Sequence, residues 1–510
     1  MAGGSDGNIM TLLRPDRNWI HDTSRPPLSI AHRGASAYAF DNTLRAFQVA
    51  HELGADMWEV DVRLTADGVP VAFHDADLRK VCGRDLALGE VMAAELIELT
   101  AAAGRAAPLF ADIAALAARV GAGIYLDAKE GKAASLAVEL LLEHGIERVI
   151  VGANTPDYCA ELLSGGCPYP VSILVGLGMD PFDIADRCGA EIVHPCWERA
   201  GARPDLLLDE AFFENARRRG LPVVTWHEER PDVVEALVKM PILGICSDQP
   251  EMVAQYRSMR PRHPEIVCHR GACRIAPENT KSAARAVWAA GFDFVEIDVR
   301  ETADGHLVVH HDPALERTTS GTGLLADKTV EEIAELDAGS WFDPFFEAES
   351  VPLLGEIVDL AFAAGGKLYV EIKQADPVRV AQAVLKRMAL EDVFFWSADQ
   401  DWLRRIRQSV PGALLMARPE DFETLDDCLA AFDADIVEFN AFNANGVDFE
   451  TVRKAGRKVM VAYMGSDTEE LVRLLDLQPD IVNVNEPFQV ARLLAKNENN
   501  GRTDARRFRA

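Results

Sequence analysis

The sequence is short of positive charge: 52 lysines and arginines stand against 81 aspartates and glutamates, a formal net charge of −29 at pH 7. A surplus of that size repels a nucleic-acid backbone and an anionic bilayer alike, which excludes partners held by long-range attraction to polyanions. An anionic ligand would need positive charge placed at its own site. There is no Cys-x-x-Cys pair, and the nine cysteines are scattered and odd in number. That excludes a disulfide framework and suits a reducing compartment. No apolar run reaches the roughly 18 residues of a membrane span. The opening MAGGSDGNIMTLLRPDRNWI also lacks the apolar core of a signal peptide. These absences lead us to expect a cytoplasmic protein with no nucleic-acid partner and no stable membrane insertion; they leave the oligomeric state open.

What is present is an ordinary globular balance, 48% apolar and 26% charged over 510 residues. One stretch organises it. CHRGACRIAPENTKSAARAVWAAGFDFVEIDVRETADGHLVVHHD, Cys268 to Asp312, repeats an earlier AHRGASAYAFDNTLRAFQVAHELGADMWEVDVRLTADGVPVAFHD, Ala31 to Asp75. At a fixed offset of 237 residues His32 meets His269, Arg33 meets Arg270, Asn42 meets Asn279, Glu59 meets Glu296, Asp61 meets Asp298 and His74 meets His311. Near the far end, Trp226 meets Tyr463 and Asp248-Gln-Pro250 meets Asn485-Glu-Pro487 at the same offset.

The duplication divides the chain into two units, 28–254 and 264–495, each of about 230 residues and large enough for its own core. Gln255 to Glu265, rich in Arg and Pro, reads as the linker. Residues 1–27 read as a loosely packed lead-in and 496–510 as a disordered, locally basic tail. Within each unit short apolar runs alternate with amphipathic helical patterns. Expected strands include Leu28 to Ile30, Met57 to Arg63, Val69 to Phe73, Gly123 to Ala128 and Leu368 to Lys373, with a helix over Thr43 to Leu53 closed by Gly54. Eight strand–helix pairs would close into a (β/α)8 barrel, so the expected fold is α/β with two tandem barrels. A doubly wound open sheet is the competing architecture.

Side-chain direction supplies the chemistry. Glu296 and Asp298 are two apart in FVEIDV, so a strand puts both carboxylates on one face and Val295, Ile297 and Val299 on the other. Neighbouring acids repel unless a cation sits between them, and a hard divalent metal is the simplest remedy. Glu371 in LYVEIKQ is the candidate third acid, with Lys373 on the same face. The first unit offers Glu59, Asp61, Asp127 and Lys129 in the same arrangement. His269 and His311, like His32 and His74, fall where apolar runs end. Repeated together, they suggest a general base and a general acid on opposite sides of one reacting group. His310 matches Phe73 and so reads as structural. Arg270 and Lys373 would stabilise developing negative charge. Three carboxylates, a metal, two cations and two histidines fit hydrolysis of a phosphate ester.

HRGACRIAPENT, VEIDVRETADGHLVVHHDPALERTT, SVPLLGE and YVEIKQ together resemble the glycerophosphodiester phosphodiesterase family, within the superfamily of phosphatidylinositol-phosphodiesterase-like barrels. The resemblance covers nearly all of 264–495. It implies a TIM barrel, a divalent metal, Mg²⁺ or Ca²⁺, and a small-molecule glycerophosphodiester cleaved to glycerol 3-phosphate and an alcohol. It also implies His269 and His311 as the acid/base pair, Glu296, Asp298 and Glu371 as metal ligands, and Arg270 and Lys373 on phosphate. His32, His74, Glu59, Asp61, Asp127, Arg33 and Lys129 are their counterparts. In that family the neighbouring glycerol hydroxyl is thought to attack phosphorus, giving a cyclic intermediate that water opens.

The first unit departs from the pattern in three places. Phe40-Asp41 stands for Pro277-Glu278, Asp127 stands for Glu371, and the segment after His74 is seven residues shorter with nothing like Arg317-Thr318-Thr319. The shorter Asp127 is expected to disturb a tight metal shell, and the missing segment to remove part of a substrate rim. The second unit is therefore the expected principal catalyst, and the first is either an altered active site or a module for binding or assembly. Trp341, Phe342, Phe345 and Phe346 suggest two readings: an apolar entrance for a lysophospholipase D substrate, or a loop packed on the barrel.

Overall fold

The computed structural model describes residues 15–22, 25–254 and 263–495. Most of the expected linker (255–262), the tail 496–510 and residues 1–14 and 23–24 of the lead-in lie outside the described residues. The chain forms two compact units.

In the first unit, nine strands run β1 Leu28–Ala31, β2 Met57–Leu64, β3 Pro70–Ala72, β4 Gly123–Ala128, β5 Val149–Ala153, β6 Val171–Gly176, β7 Ile192–Cys196, β8 Val224–Thr225 and β9 Gly244–Ser247. Eight of them run in the order β7-β6-β5-β4-β2-β1-β9-β8, every neighbour parallel, β3 lies off this path, and a parallel bridge from Val193 to Val223 brings β7 against the approach to β8. In the second unit the strands are β10 Glu265–Cys268, β11 Phe294–Glu301, β12 Leu307–Val309, β13 Lys367–Gln374, β14 Val393–Trp396, β15 Leu414–Ala417, β16 Ile436–Asn440, β17 Lys458–Tyr463 and β18 Ile481–Val484. Here β10 pairs with both β11 and β18, closing the ring outright. Each unit is a (β/α)8 barrel, so the open-sheet alternative is excluded.

The sequence shows why. Strands such as MWEVDV and FVEIDV are buried along almost their whole length, as parallel strands covered by helices on one side and barrel interior on the other must be. Helices start at polar caps: the Thr280 hydroxyl accepts from Ala283 N and the Asp209 carboxylate accepts from Phe212 N. Several end at a left-handed glycine such as Gly121, Gly189 or Gly365. In the first barrel, Leu28, Ile30, Met57, Tyr125, Ile150, Ile192 and Val224 pack into one interior cluster. Ile20, from the short helix Asn18–His21, is buried against that cluster although it belongs to the lead-in.

Both barrels carry one antiparallel addition. β3 pairs with the end of β2, and β12 with the end of β11. This hairpin carries each second histidine back to the acids: Phe73 N donates to the Asp61 carbonyl at 3.0 Å, and His310 N to the Asp298 carbonyl at 2.9 Å.

The glycine of each His-Arg-Gly run is required twice over. Gly271 has φ +83°, and a Cβ there would lie 2.8 Å from the Ala283 Cβ and 2.9 Å from its carbonyl carbon. Gly271→Ala is expected to destabilise the second barrel by about 2–4 kcal/mol, combining backbone strain with overpacking. Gly323→Ala, at φ +90° but facing open space, should show only the backbone part, about 1 kcal/mol. Thermal denaturation of the two variants measures the difference; equal losses would refute the packing argument.

Candidate active sites at the two barrel mouths

His32 and His269 directly follow β1 and β10, Asp127 and Glu371 lie near the ends of β4 and β13, and the E-x-D pairs sit on β2 and β11. All therefore gather at the C-terminal mouth, where loops leave a barrel free to build chemistry. Oxygens of Glu296, Asp298 and Glu371 lie within 4.8 Å of one another, and so do those of Glu59, Asp61 and Asp127. The shorter Asp127 thus still reaches its cluster.

A pair of left-handed backbone positions builds each first loop. Arg33 and Asn42 have φ 55° and 56°, and Arg270 and Asn279 have 56° and 58°. Non-glycine residues hold such angles only when surrounding contacts demand it. Those contacts are present: Arg270 N donates to Glu296 Oε2 at 2.7 Å, and Asn279 Nδ2 donates to Asp298 Oδ2 at 2.8 Å. In the first barrel Arg33 N reaches Glu59 Oε2 at 2.9 Å and Asn42 Nδ2 reaches Asp61 Oδ2 at 2.8 Å. The asparagine shared by both motifs is therefore a clamp on the acid.

The electrostatics call for a cation. Glu59 and Glu296 are buried, and Oε1 of each accepts no hydrogen bond. Burial, followed by the Asp298 and Glu371 charges, pushes the Glu296 carboxyl well above its usual range, and burial with Asp61 and Asp127 does the same to Glu59. Lys129 sits 2.6 Å from Asp61 and 2.7 Å from Asp127, while Lys373 lies 3.3 Å from Asp298 and pairs with Glu371. Despite burial, these acids hold both lysine pKa values above the ordinary one. An all-oxygen cluster with an unclaimed, buried carboxylate oxygen fits a hard divalent metal.

The histidines are oriented differently in the two barrels. His269 Nδ1 donates to Asn485 Oδ1 at 2.7 Å, leaving Nε2 as an acceptor. Burial and then the neighbouring Arg270 charge lower its pKa to about 4. His32 instead donates from Nδ1 to the Asp248 carboxylate at 2.7 Å, and its buried Nε2 has no partner. The His227 ring stacks on it at 4.8 Å, where the second barrel has Met464. His74 and His311 donate from Nδ1 to Asp75 and Asp312 at 2.7 and 2.5 Å. Their backbone carbonyls are held by Arg63 and Arg300. His310 is buried, bonded to the Asp312 carbonyl and the Thr318 hydroxyl, in keeping with a structural part.

Arg317 ties the rim together, reaching Asp312 at 2.5 Å and Glu278 at 2.8 Å, while Glu278 also accepts from Arg270. The view that the first unit holds nothing like Arg317 needs correcting: Lys80, at the common offset, lies 3.1 Å from Asp75. In the sequence Lys80 is masked by the seven-residue deletion that follows it, although the common offset pairs it with Arg317. The motifs likewise assign no role to the partners Asp248, Asn485, Asp75 and Asp312, although the repeat pairs the first two. Of the aromatic run, Phe346 is buried, Trp341 is exposed, and the rings pack edge to face on one another.

A profile of the glycerophosphoryl diester phosphodiesterase family matches residues 32–141 and 269–418, both segments spanning these clusters. The chain belongs to this family. Among family members, a glycerophosphodiester phosphodiesterase of Caldanaerobacter subterraneus subsp. tengcongensis is 43% identical over 108 residues, which is 21% of this chain and 44% of that protein. One from Bacillus subtilis is 39% identical over 118 residues, 22% of this chain and 40% of its own length. The chain thus spans less than half the length of these sequence relatives. A crystal structure of glycerophosphodiester phosphodiesterase from Agrobacterium tumefaciens is 35% identical, with a TM-score of 0.43, covering 45% of this chain and 99% of that one. An Oleispira antarctica phosphodiesterase, solved with the product sn-glycerol-3-phosphate, is 25% identical over 46% of this chain and 97% of its own, with a TM-score of 0.43. No helix among the described residues is long and apolar enough to cross a membrane.

Proposed function

We propose that the chain is a metal-dependent phosphodiesterase that cleaves small-molecule glycerophosphodiesters to glycerol 3-phosphate and an alcohol, in the cytoplasm, with 264–495 as the principal catalytic barrel. The observation that carries this reading is the acid trio with an unclaimed buried oxygen beside a histidine whose Nε2 is an acceptor. Glu296, Asp298 and Glu371 would hold Mg²⁺ or Ca²⁺, with Glu59, Asp61 and Asp127 as the first-barrel set. Such an ion supplies Lewis acidity and neutralises charge on the phosphoryl oxygens.

The chain's own residues do the rest. His269 is neutral at pH 7 and takes the proton from the glycerol hydroxyl as that oxygen bonds to phosphorus. His311 gives a proton to the departing alcohol oxygen as the P–O bond breaks, and the roles reverse when water opens the cyclic diester. Arg270 and Lys373 meet the negative charge that grows on phosphate; Arg33 and Lys129 stand in the same places in the first barrel, with His32 and His74. None of Trp341, Phe342, Phe345 or Phe346 lines the cavity that contains His269. The aromatic side chains that do line it are Tyr369, Trp396, Phe442 and Tyr463, so this cavity gives the 341–346 run no part in an apolar entrance.

The direct test is release of glycerol 3-phosphate from glycerophosphocholine by the full chain with Mg²⁺ or Ca²⁺; no release with either ion, across a panel of leaving alcohols, ends the reading. The asymmetry of the histidine partners gives a pH test. A carboxylate at position 485 would favour the imidazolium, so Asn485→Asp is expected to raise the His269 pKa from about 4 by about one to three units. The free base is then lost at higher pH, and the acid limb of kcat/KM moves up by the same amount. An unmoved acid limb would remove His269 as the base.

A further inference from the structure

Three neighbouring strands of the first barrel bring together three donor side chains, two of which have no equivalent in the second. His32 follows β1, Asp248 follows β9 and His227 lies two residues beyond β8, and β1, β9 and β8 stand side by side in the sheet. A ring nitrogen of each histidine and a carboxylate oxygen of Asp248 lie within 4.8 Å of one another. The two rings are stacked, 4.8 Å between centroids and 12° between planes. At the matching positions of the second barrel stand Met464 for His227 and Asn485 for Asp248, a thioether and an uncharged amide.

The surroundings prepare this spot for an ion. His32 is 6% exposed, and its Nε2 has no partner. Asp248 Oδ1 accepts from His32 Nδ1 and from Ser36 Oγ, both at 2.7 Å. Glu229 accepts from the Asp248 backbone N–H at 2.9 Å and lies 3.3 Å from His227 Nδ1. A second carboxylate thus steadies both the acid and the outer ring, as the partners of metal-bound histidines do. In the second barrel Ser466 stands in its place. Metal bonds of about 2.0 to 2.2 Å to imidazole nitrogen and carboxylate oxygen need donors about 3 to 4 Å apart. The His227 side chain, 27% exposed, has the freedom to make that small closing turn.

The donor types decide the class of ion. Glu59, Asp61 and Asp127 are all oxygen and suit a hard cation, whereas two imidazoles and one carboxylate suit a borderline transition ion. We propose that the first barrel carries a metal site made of His32, His227 and Asp248, with no residue in common with its acid trio, for a transition-metal ion such as Zn²⁺, Co²⁺ or Ni²⁺. Loading the site takes His32 out of acid/base work through either nitrogen. Ligation at Nε2 uses the lone pair that would accept a proton, and ligation at Nδ1 leaves the ring proton on Nε2. The site goes beyond the phosphodiesterase reading and does not depend on it, because the second barrel keeps its own acids and histidines whatever the first one binds.

The test titrates Zn²⁺ into the full chain by calorimetry, with Mg²⁺ in large excess so that the acid trios are already supplied. One Zn²⁺ per chain is expected to bind. His227→Met and Asp248→Asn each give the first barrel the residue that the second one has, and each should weaken that binding by at least about 100-fold, with Glu229→Gln weakening it by about 10-fold. Glu59→Gln and Glu296→Gln should leave it unchanged. Co²⁺ gives a check that needs no variant: held by nitrogen and oxygen in a four-coordinate site it absorbs visible light strongly, and held by six oxygens it absorbs weakly. A weak Co²⁺ spectrum, or no Zn²⁺ binding above the Mg²⁺ background, overturns the site. So does Zn²⁺ binding that survives both His227→Met and Asp248→Asn, or that Glu59→Gln or Glu296→Gln removes, since the ion would then lie among the acids.

Discussion

His269→Ala is expected to lower kcat/KM of the full chain on glycerophosphocholine by about 10²- to 10⁴-fold, the usual contribution of a positioned acid or base, whereas His32→Ala should leave at least half of it. The unequal outcome follows from the surroundings of two residues that the repeat makes equivalent. His269 opens onto a cavity of about 520 Å³ together with Glu296 and Glu371. His32 is stacked against His227 and edged by Trp226. A base without room for the hydroxyl it must deprotonate contributes little. A cavity of about 100 Å³ opens at the mouth of the first barrel on the His74 side, among Arg33, Lys80 and Arg105. That is a place for a phosphate group rather than for a whole diester. If His32→Ala abolished turnover and His269→Ala spared it, the ranking of the two barrels would be reversed.

Glu296→Gln is expected to lower turnover by at least 10²-fold and to change the response of stability to metal in a way a mere packing defect would not. In the wild-type chain, Mg²⁺ or Ca²⁺ at a hundred times the dissociation constant should stabilise the second barrel by about 2.7 kcal/mol and raise its melting temperature. The variant should lose that rise. Without metal the sign is opposite. The folded-state pKa of Glu296 is raised above its unfolded value by burial, then by Asp298 and Glu371. The folded state therefore holds this proton longer, and its stability falls as pH climbs from the unfolded pKa through the folded one. Removing the charge relieves that loss, so at neutral pH metal-free Glu296→Gln should melt no lower than metal-free wild type. Calorimetry with a chelator and with added ion measures both halves; a variant that melts lower without metal and still responds to it would show that Glu296 is structural.

Much of this was legible in the sequence. The spacing Glu-x-Asp puts two carboxylates on one face because a strand alternates with period two, and that geometry is local to β2 and β11. The rhythm of short apolar runs and helices implies a barrel, and one constant offset pairs the E-x-D acids, the arginines and the histidines. Expected boundaries also held to within a few residues, with the helix over Thr43 to Leu53 observed at Leu44–Glu52. Lys80 was overlooked for a local reason, the deletion beside it, and needed no fold to be found.

Other features could not be read that way. His269 meets Asn485 across 216 residues of chain, and His32 meets Asp248 across the same distance, only because the last strand of each barrel closes on the first. The partner of each imidazole is set by that closure. Likewise, Arg418, Glu438 and Asn483 line one cavity only because the finished ring brings together the end of β15, β16 and β18. The sequence by itself determined the duplicated barrels and the residues that face each mouth, because periodicity and motif order are properties of neighbouring residues. The tertiary structure alone decided which side chains line the cavity at each mouth, because empty space is what remains after distant side chains have packed.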